Sequence, residues 1–383
     1  MNKKFNKIFA IIMCFIVILS SACSNNKGGN DKKENEKSKN TEQESKETKV
    51  IKDHTNKEVV IPKHPKRVLI SSIMPLPSVY CLYRGGPKDL IGIPKASMSA
   101  AKHSYLAKVY PEILKLESEY DTGGKVNIEE VMKLKPDLVL YRANKEDEGE
   151  MYKKAGIPAV GFSVTIGKTN TVETLAKWLE LLQDIFGETD NSAGIVNFGR
   201  ETLKNIQDKI KDIPEDKKPT AIVFSGAAGG KLKAAGGNIF ANFWITQTGG
   251  RNIASELKGP GSEINMEQLL KWNPDIILIN NFCPYVPEDF LENKIEGYDF
   301  SNLKAVKDKK VYKYPLGMYR WYPPASDTPL CLMWMAKHMQ PEIFKDIDMD
   351  KEVKDYYKKF YKHEIKDEDL KKIYNPPREA AAY

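Results

Sequence analysis

The sequence predicts an α/β protein built as two similar lobes with mainly parallel sheets, joined by one long helix. Three observations support this. Short apolar runs alternate with helical stretches. A fourteen-residue segment, 127–140, recurs 138 residues later as 265–278. Between the two copies stands the longest amphipathic pattern of the chain, Thr171 to Phe186.

The N-terminus is the sharpest change of composition. Lys3, Lys4 and Lys7 precede an apolar run from Ile8 to Leu19, then Ser20-Ser21-Ala22-Cys23. A membrane-spanning helix needs about 20 apolar residues, so this shorter run reads as a secretory signal peptide over 1–22. Leu19-Ser20-Ser21-Ala22-Cys23 resembles the lipobox of bacterial lipoproteins, although Leu19 stands one place further from the cysteine than that motif prefers. The resemblance implies lipidation at Cys23. Residues 23–49 follow as a tether. From Ser24 to Lys49 seven lysines nearly balance six acids and no apolar residue occurs. Such a segment buries too little to fold. As a coil it would span about 28 Å, enough to hold a body just off a membrane.

The globular pattern then begins. A turn cluster at Asp53-His54-Thr55-Asn56 leads into a β-rich run, Lys57 to Ile61, and Val68-Leu69-Ile70 reads as a buried strand ending in Ser71-Ser72. Helix is expected over Ile128–Leu134 and Glu146–Ala155, and strand over Asp137–Tyr141 and Ala159–Phe162. These make an N-terminal lobe, 50–168. A helical connection, 169–212, holds Thr171–Phe186 and a second helix ending near Ile210. The break at Pro214–Pro219 opens a C-terminal lobe, 213–346, whose first strand is Ala221–Phe224. Each copy of the repeat reads as a helix, a Pro-Asp stop and a buried strand. Residues 347–383 form a helical extension expected to pack through Tyr356, Tyr357, Phe360 and Tyr361.

Composition excludes several functions. A net charge of +7 spread along 383 residues makes no basic face, so no nucleic-acid partner is expected. After Cys14 and Cys23, the cysteines Cys81, Cys283 and Cys331 are widely spaced. That disfavours both zinc and a disulfide framework. No G-x-S-x-G, HExxH or phosphate loop is present, and the glycine-rich stretch 226–237 lacks the Lys-Ser/Thr of a P-loop. An enzyme is therefore not expected. A hydrolase or a surface adhesin is the alternative of a different class.

Four segments carry a family resemblance: 53–68 (DHTNKEVVIPKHPKRV), the two N-x-E…P-D repeats, and Gly249-Gly250-Arg251-Asn252-Ile253-Ala254. In this order they resemble the class III, helical-backbone periplasmic binding proteins that serve ferric siderophores, haem and vitamin B12. In the first segment Asn56 replaces the usual turn glycine. The resemblance implies a lipid-anchored, extracytoplasmic, monomeric binding protein that needs no cofactor and hands its ligand to an ABC permease dimer and its ATPase. It places permease-docking carboxylates at Glu129 and Glu267. It also implies one long rigid helix between the lobes, a ligand cleft between them and, because the connector is stiff, a small closure on binding.

In such a sheet, ligands meet the loops after the strands. The candidate ligand residues are Ser71, Ser72, Met74, Tyr141 and Arg142 in lobe one, and Asn280, Asn281, Tyr319, Arg320 and Trp321 in lobe two. The loop 225–230 is a further lobe-two candidate. Arginines beside flat aromatics suit an anionic chelate, and a ferric siderophore is the expected ligand. The Tyr319-Arg320-Trp321 segment, followed by Pro323-Pro324, also resembles a molybdate- or tungstate-binding branch of the family, which makes an oxyanion the rival. A bare divalent metal fits poorly, since only His103 of the five histidines is placed to reach the cleft.

Overall fold

The computed structural model describes residues 47–189, 192, 194–226 and 231–382. The expected signal peptide, Cys23 and the tether as far as residue 46 lie outside the described residues, as do 227–230. An antiparallel hairpin opens the body, β1 (Thr48–Lys52) with β2 (Glu58–Pro62). The expected tether boundary at 49 is therefore too late. Thr48 and Lys49 pair with Pro62 and Ile61, and the Lys63 amide donates to the Glu47 carbonyl at 2.8 Å. Asn56 turns the hairpin at φ 63°, a conformation that asparagine tolerates in place of glycine.

In lobe one, β3 (Val68–Ile70) and β4 (Leu90–Gly92) precede a minimal hairpin, β5 (Asp121–Thr122) with β6 (Lys125–Val126). Then come the helix Ile128–Leu134, β7 (Leu138–Arg142) and β8 (Ala159–Phe162). The main sheet runs β4-β3-β7-β8, all parallel. Asp53 docks the opening hairpin onto it, because its carboxylate accepts the Gly161 amide at 2.8 Å. A Cβ at Gly161 would lie 2.8 Å from Thr55 Cγ2 and 2.9 Å from Asp53 Oδ2. Gly161→Ala should therefore push the hairpin off the sheet edge and cost about 1–3 kcal/mol, read as a lower urea midpoint.

The connection is two helices of sixteen residues, Thr171–Phe186 and Ile195–Ile210, whose first turns meet where Gly199 lies against Val172. Asn170 caps the first by accepting from the Val172 and Glu173 amides, and Arg200 clasps Glu173 through two bonds of 2.7 and 2.8 Å. Lobe two contains β9 (Thr220–Gly226), β10 (Leu232–Ala234), β11 (Arg251–Asn252), β12 (Ser262–Ile264), β13 (Ile276–Ile279) and β14 (Val311–Lys313). Its sheet runs β12-β10-β9-β13-β14, with β11 also on β9. The β9, β11, β13 and β14 pairings are parallel, while β10 is antiparallel to both neighbours.

The sequence repeat is a structural one. Asn127 caps the helix Ile128–Leu134 and Asn265 caps Met266–Trp272. The helices end in left-handed residues at the same place, Lys135 (φ 49°) and Asn273 (φ 43°). The aspartate after each proline then fastens its helix to the start of a central strand. Asp137 accepts the Lys66 and Arg67 amides before β3, and Asp275 accepts the Thr220 amide that begins β9. Burial matches position by position from 125–135 to 263–273.

The two lobes share one core. Its largest cluster joins lobe-one Ile70 and Leu140, the connector residues Trp178 and Leu182, lobe-two Val223 and Leu278, and the nearly all-buried helix Thr328–Met339. The C-terminal helices Met349–Tyr361 and Asp367–Tyr374 complete it through Tyr356, Tyr357, Phe360 and Tyr361, all buried. Cys81, Cys283 and Cys331 are buried, unbridged thiols. Among the described residues no helix is long and apolar enough to cross a membrane.

Candidate ligand cleft

Loops leaving the parallel strands of both lobes converge on a cavity of about 430 Å³. Lobe one contributes Ser72 to Pro75 after β3, Arg142 at the end of β7 and Val164 after β8. Lobe two contributes Ser225 on β9, Asn280 and Phe282 after β13, and Tyr322 to Pro324 after β14. This is the strand-end placement that open α/β sheets favour for ligands. A roomier hollow of about 540 Å³ lies between β14 and the C-terminal helices, beside Trp334, His338 and Tyr374. No lobe-one loop reaches it, so it does not bridge the lobes.

Three cationic side chains line the cleft: Arg142 from lobe one, and Lys233 and Lys258 from lobe two. Among the described residues no aspartate, glutamate or histidine joins them. Glu263, opposite Lys233 in the β10–β12 register, is held by Lys231 at 2.9 Å. The rest of the lining offers hydroxyl and amide groups together with Phe240, Phe282 and Tyr322. Ser72 Oγ accepts the Arg142 amide at 3.0 Å, tying two lining loops together. Ser225 Oγ is buried with no hydrogen-bond partner among the described residues. Such a lining can attract an anion by charge, offer it hydrogen bonds from small polar groups and flank it with aromatic walls. Among the described residues no cluster of three or more histidine, cysteine or carboxylate groups is placed to hold a metal.

The cleft gathers Ser72, Met74, Arg142 and Asn280 of the expected ligand residues. The others lie elsewhere, for distinct reasons. Ser71 is fully buried and donates to Glu148 at 2.5 Å inside lobe one. Tyr141 points to the opposite face of the sheet, against Tyr152 and the backbone of Gly149. Alternation along β7 sends Arg142 one way and Tyr141 the other. Asn281 is a clip. Its amide nitrogen donates to the Tyr314 and Pro315 carbonyls, and its oxygen accepts the Tyr322 amide.

Tyr319, Arg320 and Trp321 form the largest departure from expectation, since none exposes more than 2% of its surface. Arg320 donates to the carbonyls of Ala380 (2.7 Å) and Ala382 (3.0 Å), and its guanidinium stacks 4.4 Å from the centre of the Phe282 ring. It therefore stiffens a cleft wall from behind. Trp321 Nε1 donates at 3.0 Å to Asp327. Asp327 stands at the N-cap of Thr328–Met339, but its carboxylate does not cap that helix. Oδ2 instead accepts Met318 N (2.6 Å), Tyr357 OH (3.0 Å) and Trp321. Burial pushes its pKa up to about 6, against the pull of those donors.

Sequence reading missed Lys233 and Lys258. Lys233 sits in the Leu232-Lys233-Ala234 alternation of a three-residue strand, inside what reads as a glycine-rich loop. Lys258 lies in an irregular segment with no periodic signal at all.

The comparisons with known proteins agree with this geometry. The family profile described as periplasmic binding protein matches residues 93–316. A periplasmic solute binding protein from Veillonella parvula superposes with a TM-score of 0.75 at 30% identity, covering 86% of this chain and 97% of that one. The molybdate-binding protein MolA of Haemophilus influenzae is 27% identical over 337 residues, 83% of this chain and 92% of MolA. Its molybdate-bound structure superposes with a TM-score of 0.69 at 25% identity, covering 83% of this chain and 99% of MolA. The Fe(3+)-citrate-binding protein YfmC of Bacillus subtilis is 24% identical, over 80% of this chain and 89% of its own length. The chain belongs to the periplasmic binding protein family, as a solute-binding component of an ABC importer and not an enzyme.

Proposed function

We propose that the protein captures a compact multivalent anion, a molybdate-class oxyanion first, and delivers it to its permease from a lipid anchor at Cys23. The carrying observation is the cleft's charge: Arg142, Lys233 and Lys258 line it, with no acid among the described residues of its lining. The likeness to MolA supports the oxyanion. The expected ferric siderophore was to be gripped between Tyr141-Arg142 and Tyr319-Arg320-Trp321, and of these only Arg142 lines the cleft. A ferric carboxylate chelate remains the second reading, because the cavity is roomier than a bare tetrahedral oxyanion needs. Docking falls to Glu129 and Glu267, each exposed on its repeat helix and without an ion pair among the described residues.

A thermal-shift series tests the ligand class. Molybdate, tungstate and ferric citrate are each added at millimolar concentration, with nitrate and chloride as controls. A ligand at 100 times its dissociation constant stabilises by about 2.7 kcal/mol, a shift of several degrees. Stabilisation by molybdate or tungstate supports the first reading, and by ferric citrate alone the second. Equal response to nitrate would sink both.

A further inference from the structure

Large apolar side chains are seldom exposed on this body. Among the described residues those most exposed are Val50, Val60, Leu114, Met132 and Leu270. Val50 and Val60 are cross-strand partners on the opening hairpin, and nothing in the structure shows what would cover them. Met132 and Leu270 differ, because they occupy the same position of the two repeats. Met132 is 53% exposed on the helix Ile128–Leu134, and Leu270 is 43% exposed on Met266–Trp272.

Each follows its lobe's exposed glutamate by three residues, Glu129 and Glu267, and so shares a helix face with it. The buried position between them, Val131 in one lobe and Leu269 in the other, fixes how each helix is rotated on its lobe. Of the two acids in the first helix, Glu130 is engaged by Lys133 at 2.6 Å, which leaves Glu129 as the available charge. In the second helix glutamine, Gln268, stands at the place of Glu130. Each lobe thus presents one available carboxylate beside one apolar side chain, on helices whose caps, ends and burial coincide.

We infer that Met132 and Leu270 are the apolar anchors of the permease-docking surface. They would enter matching apolar pockets, each next to a cation, on the two subunits of a two-fold permease dimer. This rests on the docking reading above. Charge alone supplies steering and register, whereas affinity at an interface comes mainly from desolvated apolar side chains ringed by polar ones. The two copies give the symmetry, because a two-fold partner needs the same patch twice.

The test is binding of the full-length protein to the permease–ATPase complex of its own host in lipid nanodiscs, at 50 and 300 mM salt. Met132→Ser and Leu270→Ser should each weaken binding about ten-fold, the effect of half-burying one such side chain, with the salt dependence unchanged. Glu129→Gln and Glu267→Gln should weaken it and flatten the salt dependence. Melting temperatures of the serine variants should not fall, since neither side chain is in the core. If the glutamine variants weaken binding and the serine variants do not, the anchors are overturned and docking by charge stands. If neither set matters, docking on this face falls as well. Weakening by a serine variant that also melts early counts against the anchors, and Met132→Leu should then bind as wild type if they are real.

Discussion

Arg142→Glu should reduce anion affinity more than 100-fold, while Arg142→Lys should lose only about ten-fold. In a water-poor cleft, removing one charge-assisted pair and leaving a like charge against the ligand costs several kcal/mol, well above the ~2.7 kcal/mol of a hundred-fold change. Lysine keeps the charge and loses the planar fork. Isothermal titration with molybdate reads both variants. Equal loss in the two would mean that fork geometry rather than charge governs the site. No loss in either would remove Arg142 from the ligand shell. The expected effect is large because Arg142 is the cation lobe one brings to the cavity, whereas Lys233 and Lys258 both belong to lobe two. Its removal leaves the ligand held from one side.

The second large effect is expected at Asp327. Asp327→Ala leaves the Met318 amide, the Trp321 indole and the Tyr357 hydroxyl without their shared acceptor in a fully buried place. Stranded donors cost about 1–3 kcal/mol each, and partial relaxation brings the sum to about 3–5 kcal/mol. A fall in Tm of roughly 10 °C should follow at about 2–4 °C per kcal/mol. Asp327→Asn keeps an acceptor and isolates the charge. Burial raises the folded pKa from 3.8 to about 6, so between those values the folded protein binds more protons than the unfolded chain. Stability from this group is therefore fully present below about pH 4 and lost as pH rises through 6. Relative to Asp327→Asn, the wild type should lose up to about 3 kcal/mol between pH 4 and 7. A difference in Tm that stays flat over that range would show the carboxyl to be ionised throughout.

Local signals made the fold legible. Asn127 and Asn265 cap helices through their own next residues, and the Pro-Asp stops lie in the same segment, so each unit is written within fourteen residues. The cleft was legible only in part. Arg142 and Tyr141 are neighbours, and strand alternation alone decides that one faces the cleft and the other Tyr152, a rule that was applicable from the sequence. The segment 319–321 was not legible. Its acceptors are Asp327, Ala380 and Ala382, the last two about sixty residues away, and nothing near Arg320 marks it as buried. An arginine amid aromatics has the same local pattern whether a ligand or a carbonyl receives it.

The grip of the Ala380 and Ala382 carbonyls on Arg320 also has a consequence at long range. A buried guanidinium is costly unless its donors are met, so the cleft wall behind Phe282 depends on residues 380–382 being in place. The wall is thus completed by a segment about sixty residues downstream of the arginine it satisfies. A substitution that displaces Ala380 or Ala382 would reach the cleft from the far side of that wall, without altering a residue that lines it.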